Sequence, residues 1–334
     1  MLVAHEFVRG EENHIGTGIL LCEGCGAWYP IENDVLELVP VALIYADGMA
    51  DFAARYASQL TVLGCRLQTR QSNGADRTND KSPNAAQLQQ REHFDEYAAQ
   101  SNPNLADYTL FPIWRVASDR FLRIWRSALS MPGGWILDVG CGTGIHSLPL
   151  ADQYNIIGFD ISKKAVCKAS EDARRRGLMA ATTFFVGDAT FLPFKGGTFD
   201  YAQTIGSLHH LPDPSQRIRD ILRILVAGGT YFGVENNKSM FRWIFDLMMK
   251  AKPLWVELAG AEPLMSHRII EAWMAGLNAR LTSETSVFLP PHFLNLLEPA
   301  LAARLLEISD QFCSFIPGLR NHGGQILFKI QKLD

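Results

Sequence analysis

Five apolar runs punctuate the middle of the chain, and each ends at or just before a polar or small residue: Trp135-Ile-Leu-Asp-Val139, Ile156-Ile-Gly-Phe-Asp160, Phe184-Phe-Val-Gly-Asp188, Phe199 to His210 and Gly228 to Glu235. Trp135, Ile136, Leu137 and Val139 are too continuously apolar for a strand with one wet face, so they predict a central strand of a parallel sheet covered on both sides. Between the runs, Lys163 to Arg176 and Ser215 to Leu225 carry helical spacing. Strands alternating with such helices predict βαβ units and an α/β fold.

The flanks are patterned differently. Residues 1–45 read as a small β unit, with Gly18 to Ile31 leading to Val35-Leu-Glu-Leu-Val-Pro40. Residues 46–65 show helical spacing (Met49, Phe52, Ala53, Tyr56, Leu60, Leu63). From Gln68 to Gln90 the chain is rich in Asn, Gln, Ser, Asp and Gly, so 46–90 reads as a helix followed by a polar linker and a domain boundary. Tyr108 to Trp125 is an aromatic-rich helix suited to a core. Residues 236–308 read as a mainly helical insertion. In its segment Met240 to Lys250, Arg242, Asp246 and Lys250 form one polar stripe and leave a broad apolar face with Phe241, Ile244, Phe245, Met248 and Met249. Gln311 to Phe315, Pro317-Gly318 and Gln325 to Gln331 read as a closing hairpin.

The chemistry-bearing stretch is Asp138-Val-Gly140-Cys141-Gly142-Thr143-Gly144, where a strand turns into a helical pattern. Glycines tolerate backbone angles and close approaches that a Cβ blocks, which leaves room for a ligand against the main chain. A dinucleotide loop, G-x-G-x-x-G, needs its third glycine at position 145, where this chain has Ile145. Asp160 ends the second strand 22 residues after Asp138, close to the roughly 20 at which a carboxylate can accept both ribose hydroxyls. Asp188 ends the third.

With an acid two residues before G-x-G-x-G and acids ending the next two strands, residues 91–334 resemble the class I S-adenosylmethionine (AdoMet) methyltransferases of the ubiquinone-biosynthesis-like type. The resemblance implies a Rossmann-like, seven-stranded, mostly parallel sheet with an antiparallel last strand at its edge. It implies AdoMet as cofactor, with Asp138 facing the cationic methionine end, Gly140, Cys141, Gly142, Thr143 and Gly144 forming the loop, Asp160 and Ile161 at the ribose, and Asp188 and Ala189 at the adenine. Ile205 and Gly206, at the end of the fourth strand, would border the reacting methyl group. The reaction implied is in-line attack by a nucleophile on that methyl. His209 and His210 follow at the same height and, titrating near neutrality, are the candidate bases. Arg91 to Ala98 resembles the helix that closes over the cofactor in small-molecule methyltransferases. Phe94 and Tyr97 on it, with Phe241 and Phe245 on the insertion, are the candidate substrate contacts.

Cys22-Glu-Gly-Cys25-Gly can present two thiolates to zinc, and with the following Tyr29-Pro-Ile it resembles half of a Trm112-like zinc ribbon. Two further ligands are needed, and His5 and His14 are the candidates. The unit lies outside every cofactor strand, so AdoMet binding is expected to survive its removal.

The 334 residues carry a net charge of −4, which gives no electrostatic footprint for nucleic acid, and none is expected as a partner. No leader pattern and no apolar run of membrane-spanning length occur, and the six cysteines form no disulfide framework, so a cytoplasmic enzyme acting on a small molecule is expected. An RNA or protein methyltransferase and a non-catalytic AdoMet-binding module stand as alternatives.

Overall fold

The computed structural model describes residues 1–10, 14–39, 46–65, 85–100, 112–130, 132–252 and 263–334. The chain opens with β1 (Leu2–Arg9), β2 (Ile15–Cys22), β3 (Trp28–Glu32) and β4 (Val35–Leu38). Four helices follow: α1 (Ala46–Arg55), α2 (Ala57–Val62), α3 (Ala85–Gln100) and α4 (Pro112–Ala128). Alternation then begins, with β5 (Trp135–Val139), β6 (Asn155–Asp160), α5 (Lys163–Arg175), β7 (Thr182–Gly187), β8 (Phe199–Ile205), α6 (Pro214–Ile224) and β9 (Leu225–Asn236). The remainder is α7 (Arg242–Ala251), α8 (His267–Trp273), β10 (Ala279–Ser286), α9 (Pro291–Leu294), α10 (Pro299–Phe315) and β11 (Gln325–Lys332).

The chain divides into two compact units. The first holds residues 1–100, the loop Gly142–Gly144, and Gly158–Asp188, and its strands lie in the order β1-β2-β3-β4-β7-β6. β1 to β4 form an antiparallel meander, and β4 then pairs in parallel with β7, Leu36 opposite Phe185 and Leu38 opposite Gly187. The Leu36 to Leu38 register therefore adds a strand from the N-terminal meander beside β7. Ile19, Trp28 and Phe52 are fully or almost fully buried, and the Phe52 ring sits 6.0 Å from Trp28 and 4.8 Å from Tyr56. α5 starts at Ser162, whose hydroxyl accepts the N–H of Ala165 at 3.1 Å, an N-cap that satisfies one of the helix's unpaired donors.

The second unit holds 101–141, 145–157 and 189–334, with strand order β5-β8-β9-β11-β10. β5, β8 and β9 run parallel, whereas β11 is antiparallel to both β9 and β10. Behind β8 and β9, Trp125 of α4 stacks on Phe232 at 4.8 Å and donates its indole N–H to Gln203 Oε1 at 2.8 Å, which lets both polar groups be buried.

Two expectations are corrected here. The insertion 236–308, read as mainly helical, also contains β10. β11 is antiparallel as expected but lies inside the sheet, with β10 outside it. Gln311 to Phe315 forms the end of α10 rather than a hairpin arm. β10 was hidden because Ala279-Arg-Leu-Thr-Ser-Glu-Thr-Ser286 alternates between half-buried and exposed positions and lacks an apolar run. Of the polar stretch Gln68 to Gln90, residues 68–84 lie outside the described residues, as do Tyr108 and Phe111 and the side chain of Trp114.

The β4–β7 pairing also revises the expected independence of the N-terminal unit, since a fragment starting near Gln90 would bare the hydrogen-bonding edge of β7. We expect Trp28→Ala to destabilise the first unit by about 3–5 kcal/mol, the usual result of deleting a buried aromatic. Urea denaturation with an unchanged midpoint would show that the meander carries no such stability.

Candidate functional site

In the first unit the glycine loop and the ends of β6 and β7 come together. Gly142 and Gly144 have φ of +51° and +75°, left-handed values that side chains avoid. The Gly142 N–H donates to Asp160 Oδ2 at 2.9 Å, and the Ser162 N–H to Asp160 Oδ1 at 2.9 Å. Burial pushes the Asp160 carboxyl above its ordinary pKa, and the N–H groups of Ser162, Gly142 and Ile161 oppose that rise. Thr143 is half-buried beside them.

α3 is anchored to both acid-bearing strands of this unit. Asp95 is buried and accepts the Ser162 hydroxyl at 2.7 Å and the Lys164 N–H at 3.2 Å, and Gln87 donates to Asp188 Oδ2 at 3.1 Å. Gln87 and Asp95 were not singled out from the sequence, although Asp95 stands beside Phe94 in the helix that was. Phe94 is half-buried with its ring 5.4 Å from His93, and the Tyr97 side chain lies outside the described residues.

In the second unit, Asp138 is buried in β5, and Gly140 follows at φ +74°. A Cβ on Gly140 would meet Ser207 Cβ at 2.6 Å, and Ser207 Oγ donates to the Val139 carbonyl at 2.7 Å, so the loop after β8 presses directly on the glycine turn. Cys141 is buried, as is Ala189, whose carbonyl accepts from Arg217 at 3.3 Å. Ile205 ends β8, and Gly206, at φ +64°, sends its N–H to Val234 O at 2.8 Å. The turn Leu208–His210 comes next.

There the structure adds a residue that the sequence reading missed. Glu235, buried at the end of β9, accepts the Leu208 N–H at 2.8 Å with one oxygen and faces His209 Nδ1 at 2.5 Å with the other. His210 packs on His209 with ring centroids 3.9 Å apart. A carboxylate opposite Nδ1 favours a proton on that nitrogen, the arrangement that a general base acting through Nε2 requires. Glu235 lies 26 residues after His209, and no local pattern links them.

The same unit contains a cavity of about 280 Å³ lined by Phe241, Ile244 and Phe245 from α7 and its start, by residues 287–291, and by Asn236, Asn237, His322 and Gln325. Phe241 and Phe245 thus line one cavity, as two of the expected substrate contacts. Gln325 Oε1 is buried there with no hydrogen-bond partner among the described residues. Asn237 is buried and donates to the carbonyls of Asn321 and Gly323 at 2.9 and 2.7 Å, which fixes the rim.

The zinc half-site is not completed. Cys22 and Cys25 are free thiols, and among the described residues no group of three or more His, Cys, Asp or Glu is arranged to hold a metal. The His14 Nε2 lies 3.0 Å from the Met179 carbonyl instead, and His5 sits in β1 opposite Ile19. Hydrogen bonds within the Cys22–Cys25 turn, chiefly from the Cys25 backbone, lower the Cys22 pKa without a metal.

Comparison with known proteins places this geometry. Residues 136–229 match the family model described as a methyltransferase domain. Norajmaline N-methyltransferase of Rauvolfia serpentina is 37% identical over 111 residues, 33% of this chain and 38% of that protein. The 2-methyl-6-phytyl-1,4-hydroquinone methyltransferase of Synechocystis is 36% identical over 150 residues, 44% of this chain and 46% of that one. The chain therefore matches less than half the length of these relatives. Among solved structures, a chain of the complex containing the Haloferax volcanii Trm112 methyltransferase activator superposes with a TM-score of 0.51 at 18% identity, over 73% of this chain and 97% of that chain, a likeness of fold.

His146, in the turn after the glycine loop, keeps part of its surface in solvent, yet the protein packed around its ring pushes its pKa from 6.5 down to about 4. The unfolded chain therefore takes up this proton first, and the contribution of His146 to stability is lost as pH falls from about 6.5 towards 4. Thermal melts of His146→Gln are expected to fall less steeply over that range than those of the wild type. Parallel curves would remove His146 from the account.

Proposed function

Because residues 136–229 belong to the methyltransferase-domain family, we propose that this chain transfers the methyl group of AdoMet to an oxygen, nitrogen or carbon of a small, largely apolar acceptor. The observation that carries the reading is the turn at 140–144: three left-handed glycines, with the Gly142 N–H bonded to the half-buried Asp160 carboxylate. No atom lies within 4 Å of where a Cβ on Gly142 would stand, so the turn offers open backbone to a ligand. On this reading Asp138 meets the cationic methionine end, residues 140–144 the main body of the cofactor, Asp160 and Ile161 the ribose, Asp188 and Ala189 the adenine, and Ile205 and Gly206 the neighbourhood of the methyl group. AdoMet, when bound, supplies an activated methyl on a sulfonium, which is already a good leaving group. The chain's own work is to orient the acceptor, keep water out and remove a proton where the acceptor arrives protonated.

His209 Nε2 is the atom assigned to take that proton. Glu235 holds Nδ1–H, and so sets the tautomer and offsets the charge that appears on the ring. Glu235 is a positioning residue here, acting through His209. The cavity beside α7 is the acceptor site on this reading, with Phe241 and Phe245 supporting an apolar or aromatic guest and the unpartnered Gln325 Oε1 favouring one that brings an O–H or N–H. Its volume of about 280 Å³ is near the lower end of ligand pockets, roughly 300–1,000 Å³, which suits a compact head group. The names of the two relatives, one acting on norajmaline and one on a phytyl hydroquinone, support a small organic acceptor over RNA or protein. α3, bonded at Gln87 to Asp188, is the candidate cover of the adenine side, with Phe94 and Tyr97 as its substrate-facing candidates.

Incubation with methyl-labelled AdoMet and a panel of phenols, hydroquinones and amines is expected to give a labelled organic product, and failure to bind AdoMet at all would overturn the reading. His209→Ala is expected to lower kcat with a hydroxyl acceptor by roughly 10²–10⁴-fold, the range of general base catalysis, while AdoMet affinity stays unchanged. Glu235→Gln should lower kcat less and shift the pH profile. An unaltered profile would remove the positioning role.

A further inference from the structure

α7 is apolar on two sides. Phe241, Ile244 and Phe245 line the cavity, while Met240, Trp243 and Leu247 are 59%, 65% and 61% exposed, and the helix has no buried residue. Trp243 and Leu247 lie one turn apart, and Lys250 follows on the next turn of the same face. An apolar helix face is normally covered, and the described residues leave this one open to solvent. On the cavity side, the His292 ring of α9 reaches the Lys252 carbonyl at 2.8 Å and packs on Phe245 at 6.2 Å, which leaves the outward face to Met240, Trp243 and Leu247.

Charge identifies the kind of partner. Residues 238–252 hold four cations, Lys238, Arg242, Lys250 and Lys252, against the single carboxylate Asp246, in a chain whose net charge is −4. Lys238, Lys250 and Lys252 are exposed. A second copy of the chain, docked through this patch about a two-fold axis, would bring these cations against each other, which is costly. A surface offering both an apolar interior and negative charge satisfies both halves of the pattern, and that is an anionic lipid bilayer. Trp243 suits the boundary, since its indole body is apolar and its N–H can stay wet.

We propose that the outward face of α7 is a peripheral docking surface for anionic membranes. Met240, Trp243 and Leu247 enter the headgroup boundary, and Lys238, Lys250 and Lys252 pair with lipid phosphates. No described helix is long and apolar enough to cross a bilayer, so the attachment is interfacial and reversible. The docking face stands on exposure and charge alone. Its purpose, passing a lipid-dissolved acceptor into the cavity on the other side of the same helix, rests on the methyl-transfer reading above.

The test is sedimentation of the full chain with phosphatidylglycerol-rich vesicles and with pure phosphatidylcholine vesicles, without cofactor. Salt-sensitive binding to the anionic vesicles is expected, reduced about tenfold or more in Trp243→Glu/Leu247→Glu and in Lys250→Glu/Lys252→Glu. Calorimetric AdoMet affinity equal to that of the wild type checks that the variants are folded. Absence of binding to anionic vesicles, or equal binding by folded variants, overturns the proposal. So does light scattering that finds a wild-type dimer dissociated by Trp243→Glu/Leu247→Glu, because a second copy then covers the face. Vesicle binding without methyl transfer would leave the docking surface standing and remove its purpose.

Discussion

A half-buried carboxylate at the end of β6 holds the glycine turn of the first unit in shape. Asp160 accepts the N–H of Gly142 on one oxygen and that of Ser162 on the other, and so ties the glycine turn to the start of α5. Taking a carboxylate partly out of water is costly unless donors surround it, and backbone N–H groups that no β-ladder or helix satisfies supply them here. Desolvation still pushes the Asp160 pKa upward, against the pull of these donors.

The second unit repeats the device. Glu235 is buried at a strand end and is likewise satisfied by a backbone N–H, that of Leu208, and by His209. Each carboxylate fixes a loop at the end of a strand, and a left-handed glycine beside it, Gly142 or Gly206, gives the loop its turn. Rigid strands with irregular but internally bonded loops hold functional groups more firmly than the loops could alone.

The strands that carry these loops were readable from the sequence because each is a continuous apolar run: Trp135 to Val139 and Ile156 to Asp160 match β5 and β6 almost residue for residue. The glycine turn was readable because its φ values admit little else. β10 was not, since its exposed positions show no core-facing run, and neither was the β4–β7 pairing, which joins Leu36 to Phe185 across 149 positions. Glu235 was passed over for the same reason. An acid at a strand end is ordinary, and its meaning appears only when the β8 turn folds His209 onto it. Phe241 and Phe245 were found from helical periodicity alone, but periodicity could not show that α7 is apolar on both sides.

On the proposed function, Asp160 both braces the glycine turn and binds the cofactor. Isothermal titration of AdoMet into the wild type and into Asp160→Ala decides whether it does. Micromolar binding by the wild type is expected, with a loss of about 1.5–3 kcal/mol in the variant, the range for hydrogen bonds to a charged group. Equal affinity in the two proteins would remove Asp160 from the cofactor site.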